Sequence, residues 1–228
     1  MVGQNTFKYN KLEKIASICR QIANSTNAQL VLHLDHGASY EQVIQCLRNG
    51  FTSVMIDGSR LPLKENIRVT KEVTRAAHTV GVSVEAELGA IGGTEDGMTA
   101  KANLVNVDDA RCFLEEVTVE ALAIGIGNAH GIYKSTPNLA FDRLEQVAAL
   151  GGPALVLHGG SGIPDDMIRK AIVMGIRKIN VATEVRLAFL EGFGLEVNSK
   201  DIYKAYQSAQ AHARKIISDK MSLFDTTK

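Results

Sequence analysis

The sequence predicts an α/β fold, and three observations carry the prediction. Short runs rich in Val, Ile and Leu alternate with longer stretches of helical period along the chain. Gly50, Gly81 and Gly175 stand where a left-handed cap would close a helix just before the next strand. Almost every apolar run ends in a residue able to do chemistry: Asp35 and His36, Asp57, Glu87, then His130, His158 and Asn180.

Taken in order, a helix is expected over Lys11–Ala23 and a first strand over Leu30–Leu34. Helix Tyr40–Asn49, strand Ser53–Ile56, helix Leu63–His78 and strand Ser83–Glu87 follow. The second half gives helix Val107–Glu116, strand Ala121–Ile126, helix Phe141–Ala149, strand Ala154–Leu157, helix Asp165–Met174 and strand Lys178–Val181. A last helix, Asp201–Lys220, closes the chain. Runs that are apolar on both faces suit a buried parallel sheet. Right-handed crossovers then leave a (β/α)8 TIM barrel or an open doubly wound sheet. The strand-end residues favour the barrel, whose C-terminal strand ends converge on one mouth where active sites sit. Six βα units are legible where a closed barrel has eight, and the chain begins on a helix. The expectation is therefore a single barrel domain over residues 1–228, truncated at its N-terminus to about six units.

Composition narrows the classes. With 228 residues, 25 basic and 25 acidic side chains, the chain is neutral and long enough for a sizeable core. Neutrality argues against a nucleic-acid binder, which needs a basic face to release counterions, and against a polybasic membrane-surface protein. The longest apolar stretches, such as 121–126, are too short to cross a bilayer, and residues 1–10 hold no apolar signal core. Cys19, Cys46 and Cys112 form neither a disulfide framework nor a zinc CxxC pattern. They read as small hydrophobes in a protein of the reducing cytosol.

Three histidines stand at strand ends beside glycine: His36 in HLDHG, His130 in GNAHG and His158 in LHGGSG. Any one of them alone would be a satisfied core or loop histidine. Together they match a catalytic zinc arrangement, three protein ligands and an open position. His33, inside a strand, and His78 and His212, on helices, read as structural or exposed. The run Gly159-Gly160-Ser161-Gly162 follows one strand and opens a helix, and Asn180-Val181-Ala182-Thr183 follows the next. Such loops present backbone N–H groups and a positive helix end to an anion. In barrels the phosphate site lies after strands seven and eight, which these become if two units are missing in front. Asp35 sits at the mouth, placed to exchange protons with a substrate. Glu85 and Glu87 share one strand face, so one could ligate a metal or hold a ligating histidine. The loop Gly92–Gly97 could bring Glu95 over the site, although composition alone reads it as a solvated acidic loop.

The ordered motifs HLDHG, VMIDGS, VEAELGxIGG, AHGIY, LHGGSGIP and INVATE resemble the class II, metal-dependent ketose-bisphosphate aldolases. The set looks most like the tagatose-bisphosphate aldolase branch, and the likeness runs from Thr6 onward. The resemblance implies a zinc (β/α)8 barrel that reversibly cleaves a ketose 1,6-bisphosphate to dihydroxyacetone phosphate and glyceraldehyde 3-phosphate. It matches His36, His130 and His158 to the zinc ligands and Glu87 to a conditional extra ligand. It matches Asp35 to the acid serving the aldehyde oxygen and Glu95 to the mobile-loop acid that moves the C1 proton. Gly131, Lys134, Gly159, Ser161, Asn180, Ala182 and Thr183 fall on segments holding the dihydroxyacetone phosphate end. Carbonyls around His130 and Gly159 resemble the family's monovalent-cation site, for Na+ or K+. A cytoplasmic homo-oligomer, dimer or tetramer, is implied as well. Ala182 stands where the fructose branch usually carries an aspartate.

The sequence departs from the family pattern in three places. The first strand, helix and second strand have no counterpart, Gly3 falls near the second strand's serine, and Asn128 replaces a threonine or serine. Two rival readings stay open at this level. Lys178, in a strand, could form a Schiff base if burial lowered its pKa. The chain could also be a truncated, non-catalytic subunit or fragment, its open strand edges inviting association.

Overall fold

In the computed structural model, residues 1–95, 98–100 and 103–225 are described, without the side chains of residues 94, 95 and 98–100. An N-terminal segment carries α1 (Gln4–Tyr9) and α2 (Leu12–Asn24). Next come β1 (His33–Gly37), α3 (Tyr40–Arg48), β2 (Ser53–Ile56), α4 (Leu63–Thr79) and β3 (Ser83–Leu88). The hairpin strands β4 (Gly92–Glu95) and β5 (Met98–Ala100) precede α5 (Val107–Glu116), β6 (Ala121–Ile124) and β7 (Ala129–His130). The chain ends with α6 (Phe141–Ala148), β8 (Ala154–Leu157), α7 (Asp165–Val173), β9 (Ile176–Ile179), α8 (Thr183–Glu196) and α9 (Ile202–Phe224).

The main sheet has the order β1-β2-β3-β6-β8-β9, with every pairing parallel. That order never turns back, whereas a doubly wound sheet reverses at a switch point. The sheet also curls. Laid flat, its outer strands would stand five spacings apart, about 24 Å. Instead Asn180, just past β9, donates from Nδ2 to Asp35 Oδ1 of β1 at 3.2 Å. The result is the arc of a barrel with its strand C-termini gathered at one end. The second sheet, β5-β4-β7, lies at that end.

Alternation along each strand sets what lines the arc. Leu34, Val54, Ile56, Val84, Ala86, Leu88, Leu122, Ile124, Leu155 and Leu157 join the main core with the outer helices. Their neighbours Met55, Ala123 and Val156 form a separate small cluster on the inner side. His33, Asp35, Glu85 and Glu87 share that inner side and are buried. The N-terminal segment docks on the outer edge of β1. Val2 pairs in parallel with Leu34, donating to the His33 carbonyl at 2.8 Å and accepting from the Asp35 N–H at 3.0 Å.

The structure departs from several expectations, among them the strand expected over Ala121–Ile126, which ends at Ile124. The first strand begins at His33, not Leu30, and Leu30 and Val31 are exposed. The apolar run Leu30–Leu34 misplaces it, because the polar residues of HLDHG find partners inside the arc. The last strand is Ile176–Ile179, so Asn180 and Val181 belong to the loop after it. Helix α8 was not anticipated. Its Leu187, Leu190 and Leu195 are exposed, so its apolar residues ring the helix and show no amphipathic period. Among the cysteines Cys46 is buried as a small hydrophobe, but Cys112 is exposed.

Candidate metal centre and phosphate cleft

His36, His130 and His158 come from β1, β7 and the loop after β8, and their nitrogens lie within 4.8 Å of one another. Ring centroids are 5.0 Å apart for His36–His130, 4.7 Å for His36–His158 and 5.8 Å for His130–His158. His36 has φ +47, a costly backbone for a residue with a side chain, and such strain concentrates at functional positions. The next residue tolerates only glycine: a Cβ at Gly37 would sit 2.2 Å from the Met55 carbonyl oxygen. The close approach of β1 to β2 here, with a register shift between Leu34 and Gly37, aims His36 inward.

Carboxylates hold the outer nitrogens of two of these rings. His158 Nε2–H donates to Glu85 Oε1 at 2.7 Å, and His36 Nδ1–H donates to Asp57 Oδ2 at 2.8 Å. A carboxylate only accepts, so each outer nitrogen carries a hydrogen, and a neutral ring then offers its inner nitrogen as a lone pair. Those inner atoms, His158 Nδ1 and His36 Nε2, face each other at 2.9 Å. Two lone pairs at that distance need a cation between or beside them, a proton or a metal ion. The donor set therefore fits a divalent ion of nitrogen preference.

Glu85 is the hub of this shell. Besides His158 it accepts from Lys178 Nζ at 2.8 Å and stands 3.7 Å from His33 Nε2. Burial alone would raise its pKa, but the His158 hydrogen bond and the Lys178 charge outweigh it and hold the carboxyl well below the usual range. Burial lowers the pKa of His158, against the Glu85 hydrogen bond and charge that raise it. Burial, with the Lys178 charge, lowers His33 to about 4. On the other side, burial opposes protonation of His36, yet the Asp57 hydrogen bond and the Glu87 and Asp35 charges raise it to about 10. Burial, with the Asp57 charge, pushes Glu87 up to about 8. Glu87 lies 3.7 Å from His36 Nδ1 and forms a second possible ligand trio with His36 and Asp57, apart from the three-histidine group. Its Oε2 is buried without a hydrogen-bond partner among the described residues.

A cleft beside the histidines is lined by Asp35, His130, Gly131, Gly159, Ser161, Asn180, Ala182 and Thr183, together with Met1. Seven of the expected substrate and proton-transfer positions thus meet in one place. Lys134 is exposed and lines the neighbouring surface cleft with Gly131, Ser161 and Thr183. Glu95 lies outside the described side chains. The loops are tied together by two residues that sequence reasoning passed over or left open. Tyr133 Oη accepts from the Ala129 N–H at 2.8 Å and donates to the Gly159 carbonyl at 3.1 Å. Asn128 accepts from the Ile126 N–H at 2.8 Å and donates to the His158 carbonyl at 2.9 Å, which gives its departure from the family pattern a local role. Asp57 was visible only as a strand-end acid in VMIDGS, and its partner could not be named without the fold.

The sequence profile described as "Fructose-bisphosphate aldolase class-II" matches residues 1–228. A fructose-bisphosphate aldolase of Streptococcus pyogenes serotype M3 is 44% identical over 201 residues, 87% of this chain and 64% of that protein. The chain thus spans less than two thirds of that relative's length. The crystal structure of the YdjI aldolase from Escherichia coli K12 superposes with a TM-score of 0.87 at 29% identity, covering 98% of this chain and 80% of that one. The fructose-bisphosphate aldolase of Campylobacter jejuni shares the fold alone, with a TM-score of 0.75 at 21% identity over 93% of this chain and 75% of its own. With the profile matched from end to end and the histidine trio assembled as its motifs imply, the chain belongs to the class II fructose-bisphosphate aldolase family.

Proposed function

We propose that this chain carries the catalytic site of a reversible aldol cleavage, in which a ketose 1,6-bisphosphate gives dihydroxyacetone phosphate and glyceraldehyde 3-phosphate. The convergence of His36, His130 and His158 beside the Gly159–Gly162 loop supports this best. The three histidines would hold Zn2+, with Glu87 as a conditional ligand. Such an ion, when bound, acts as a Lewis acid toward the ketone oxygen and acidifies the adjacent carbon. Ser161, Asn180, Ala182, Thr183 and the Gly131 and Gly159 backbone hold the phosphorylated half, with Lys134 at its rim, and so fix the reacting carbon. Asp35 takes the hydroxyl proton during cleavage and returns it during condensation. Asn180, donating to Asp35, orients that carboxyl. Glu95 moves the C1 proton. The Schiff-base alternative fits less well, because Lys178 is engaged by Glu85 rather than facing the cleft.

Tagatose bisphosphate is the favoured substrate, on Ala182, with fructose bisphosphate next. Carbonyls near His130 and Gly159 would take Na+ or K+. Exposed Leu187, Leu190, Tyr203 and Tyr206 on α8 and α9 fit a homo-oligomer. The three unpaired cysteines fit a reducing cytoplasm. Among the described residues no helix is long and apolar enough to cross a membrane. The test is metal analysis of the purified protein combined with cleavage assays on both bisphosphates. The expected result is about one zinc per chain and turnover that a chelator abolishes. Full turnover with no bound metal would overturn the reading.

A further inference from the structure

Glu184 sets a carboxylate against the loop that the proposed function assigns to phosphate. It is the last residue of INVATE and the second of α8. Its Oε1 accepts the Gly162 N–H, and its own N–H donates to Ser161 Oγ at 3.3 Å. Its Oε2 lies 3.0 Å from Lys220 Nζ, and the two side chains are only 24% and 16% exposed. Lys220 belongs to α9, which lies along α8. A negative charge in this place is costly for anion binding. It repels a phosphate dianion and offsets the positive end of α8.

We infer that Glu184 and Lys220 form a positioning clamp for the phosphate cleft. Glu184 shapes the Gly159–Gly162 loop and seats Ser161, whose hydroxyl can still donate to a ligand. Lys220 neutralises that carboxylate, so the clamp does not oppose the phosphate it serves. The inference rests on the reading of the cleft as a phosphate site. It gives the C-terminal helix α9 control over substrate affinity without contact with substrate.

The sign of each substitution separates this from plain packing. K220M leaves an uncompensated charge against the loop. E184Q keeps an acceptor for Gly162 and removes the repulsion. The double variant E184Q/K220M therefore recovers what K220M loses, whereas a packing role makes the two losses add. Dihydroxyacetone phosphate and inorganic phosphate are titrated calorimetrically into the purified wild type, K220M, K220R, E184Q and the double variant, with folding checked by circular dichroism. K220M is expected to bind both roughly tenfold more weakly, with KM raised and kcat little changed. K220R should stay near wild type, and the double variant within about twofold of it. K220M binding as tightly as wild type, or a double variant weaker than K220M, overturns the clamp alone. A wild type that takes up neither ligand overturns the cleft assignment and the clamp together. If K220M does not fold, E184Q decides: affinity equal to or tighter than wild type supports the clamp, and a tenfold loss ends it.

Discussion

Glu85 is one carboxylate serving three partners. It orders His158, pairs with Lys178 and faces His33, all at the inner side of the arc. Replacement by Gln keeps the shape but removes the charge that Lys178 and the His158 N–H both need. E85Q is expected to lower metal affinity by about 10- to 100-fold, as outer-shell carboxylates do, measured by competition with a chromogenic chelator. Unchanged affinity would show that His158 orients without it. His33 gives a second residue-level test, through pH. Its folded pKa is lowered to about 4, against about 6.5 unfolded. The unfolded chain binds more protons between those values, so the stability from keeping His33 neutral is complete above pH 6.5 and lost as pH falls toward 4. Glu87, raised to about 8, works the opposite way over part of that range, so wild type alone hides the effect. The difference in urea-unfolding free energy between wild type and H33N, measured with chelator present, should shrink by about 1–2 kcal/mol between pH 6.5 and 5. A constant difference would remove the titration from the account.

At the scale of elements, the site depends on how closely β1 meets β2. A Cβ at Gly37 would lie 2.2 Å from the Met55 carbonyl oxygen and 3.0 Å from Leu34 Cδ2, with strand backbone rather than a flexible tip in the way. G37A must therefore push the strands apart beside His36. It should destabilise the protein by about 2–4 kcal/mol in a urea titration and weaken metal retention in parallel. A stable variant with intact metal binding would show that the β1 edge yields freely. Elements with a clear period were legible in the sequence. Ser53–Ile56, Ala154–Leu157 and Val107–Glu116 stand where the pattern puts them. The three clustered histidines of the candidate site were legible for a related reason, since strand ends are marked by a change from apolar to polar and glycine. What escaped lacked such contrast. Helix α8 is apolar around its circumference, and the β5-β4-β7 sheet is made of strands only two to four residues long, rich in Gly, Thr and Ala, too short to carry a periodic signal. HLDHG hid its strand because its polar side chains face a polar interior, and only the fold supplies their partners.

Across the whole molecule, the three histidines come together from widely separated elements. His36 lies in the outermost strand β1, His130 in β7 of the small sheet, and His158 past β8, beside the other outer strand. An ion held by all three would brace the curl of the sheet as well as serve chemistry. Outside that centre, the Asn180–Asp35 hydrogen bond also joins β1 to the loop after β9, a contact worth about 1–3 kcal/mol. A ligand bound only by the folded state adds RT ln(1 + [L]/Kd), about 2.7 kcal/mol when the ion is present at 100 times its Kd. For a chain of this size that corresponds to a rise of roughly 5–10 °C in the unfolding midpoint. Differential scanning calorimetry should therefore show a higher Tm with zinc than with chelator, and the gap should close in H158A. Magnesium, which prefers six oxygen ligands, should not reproduce the shift. A zinc response that survives in H158A would mean that the ion binds elsewhere, and the arc would then have to hold its curvature through hydrogen bonds and core packing alone.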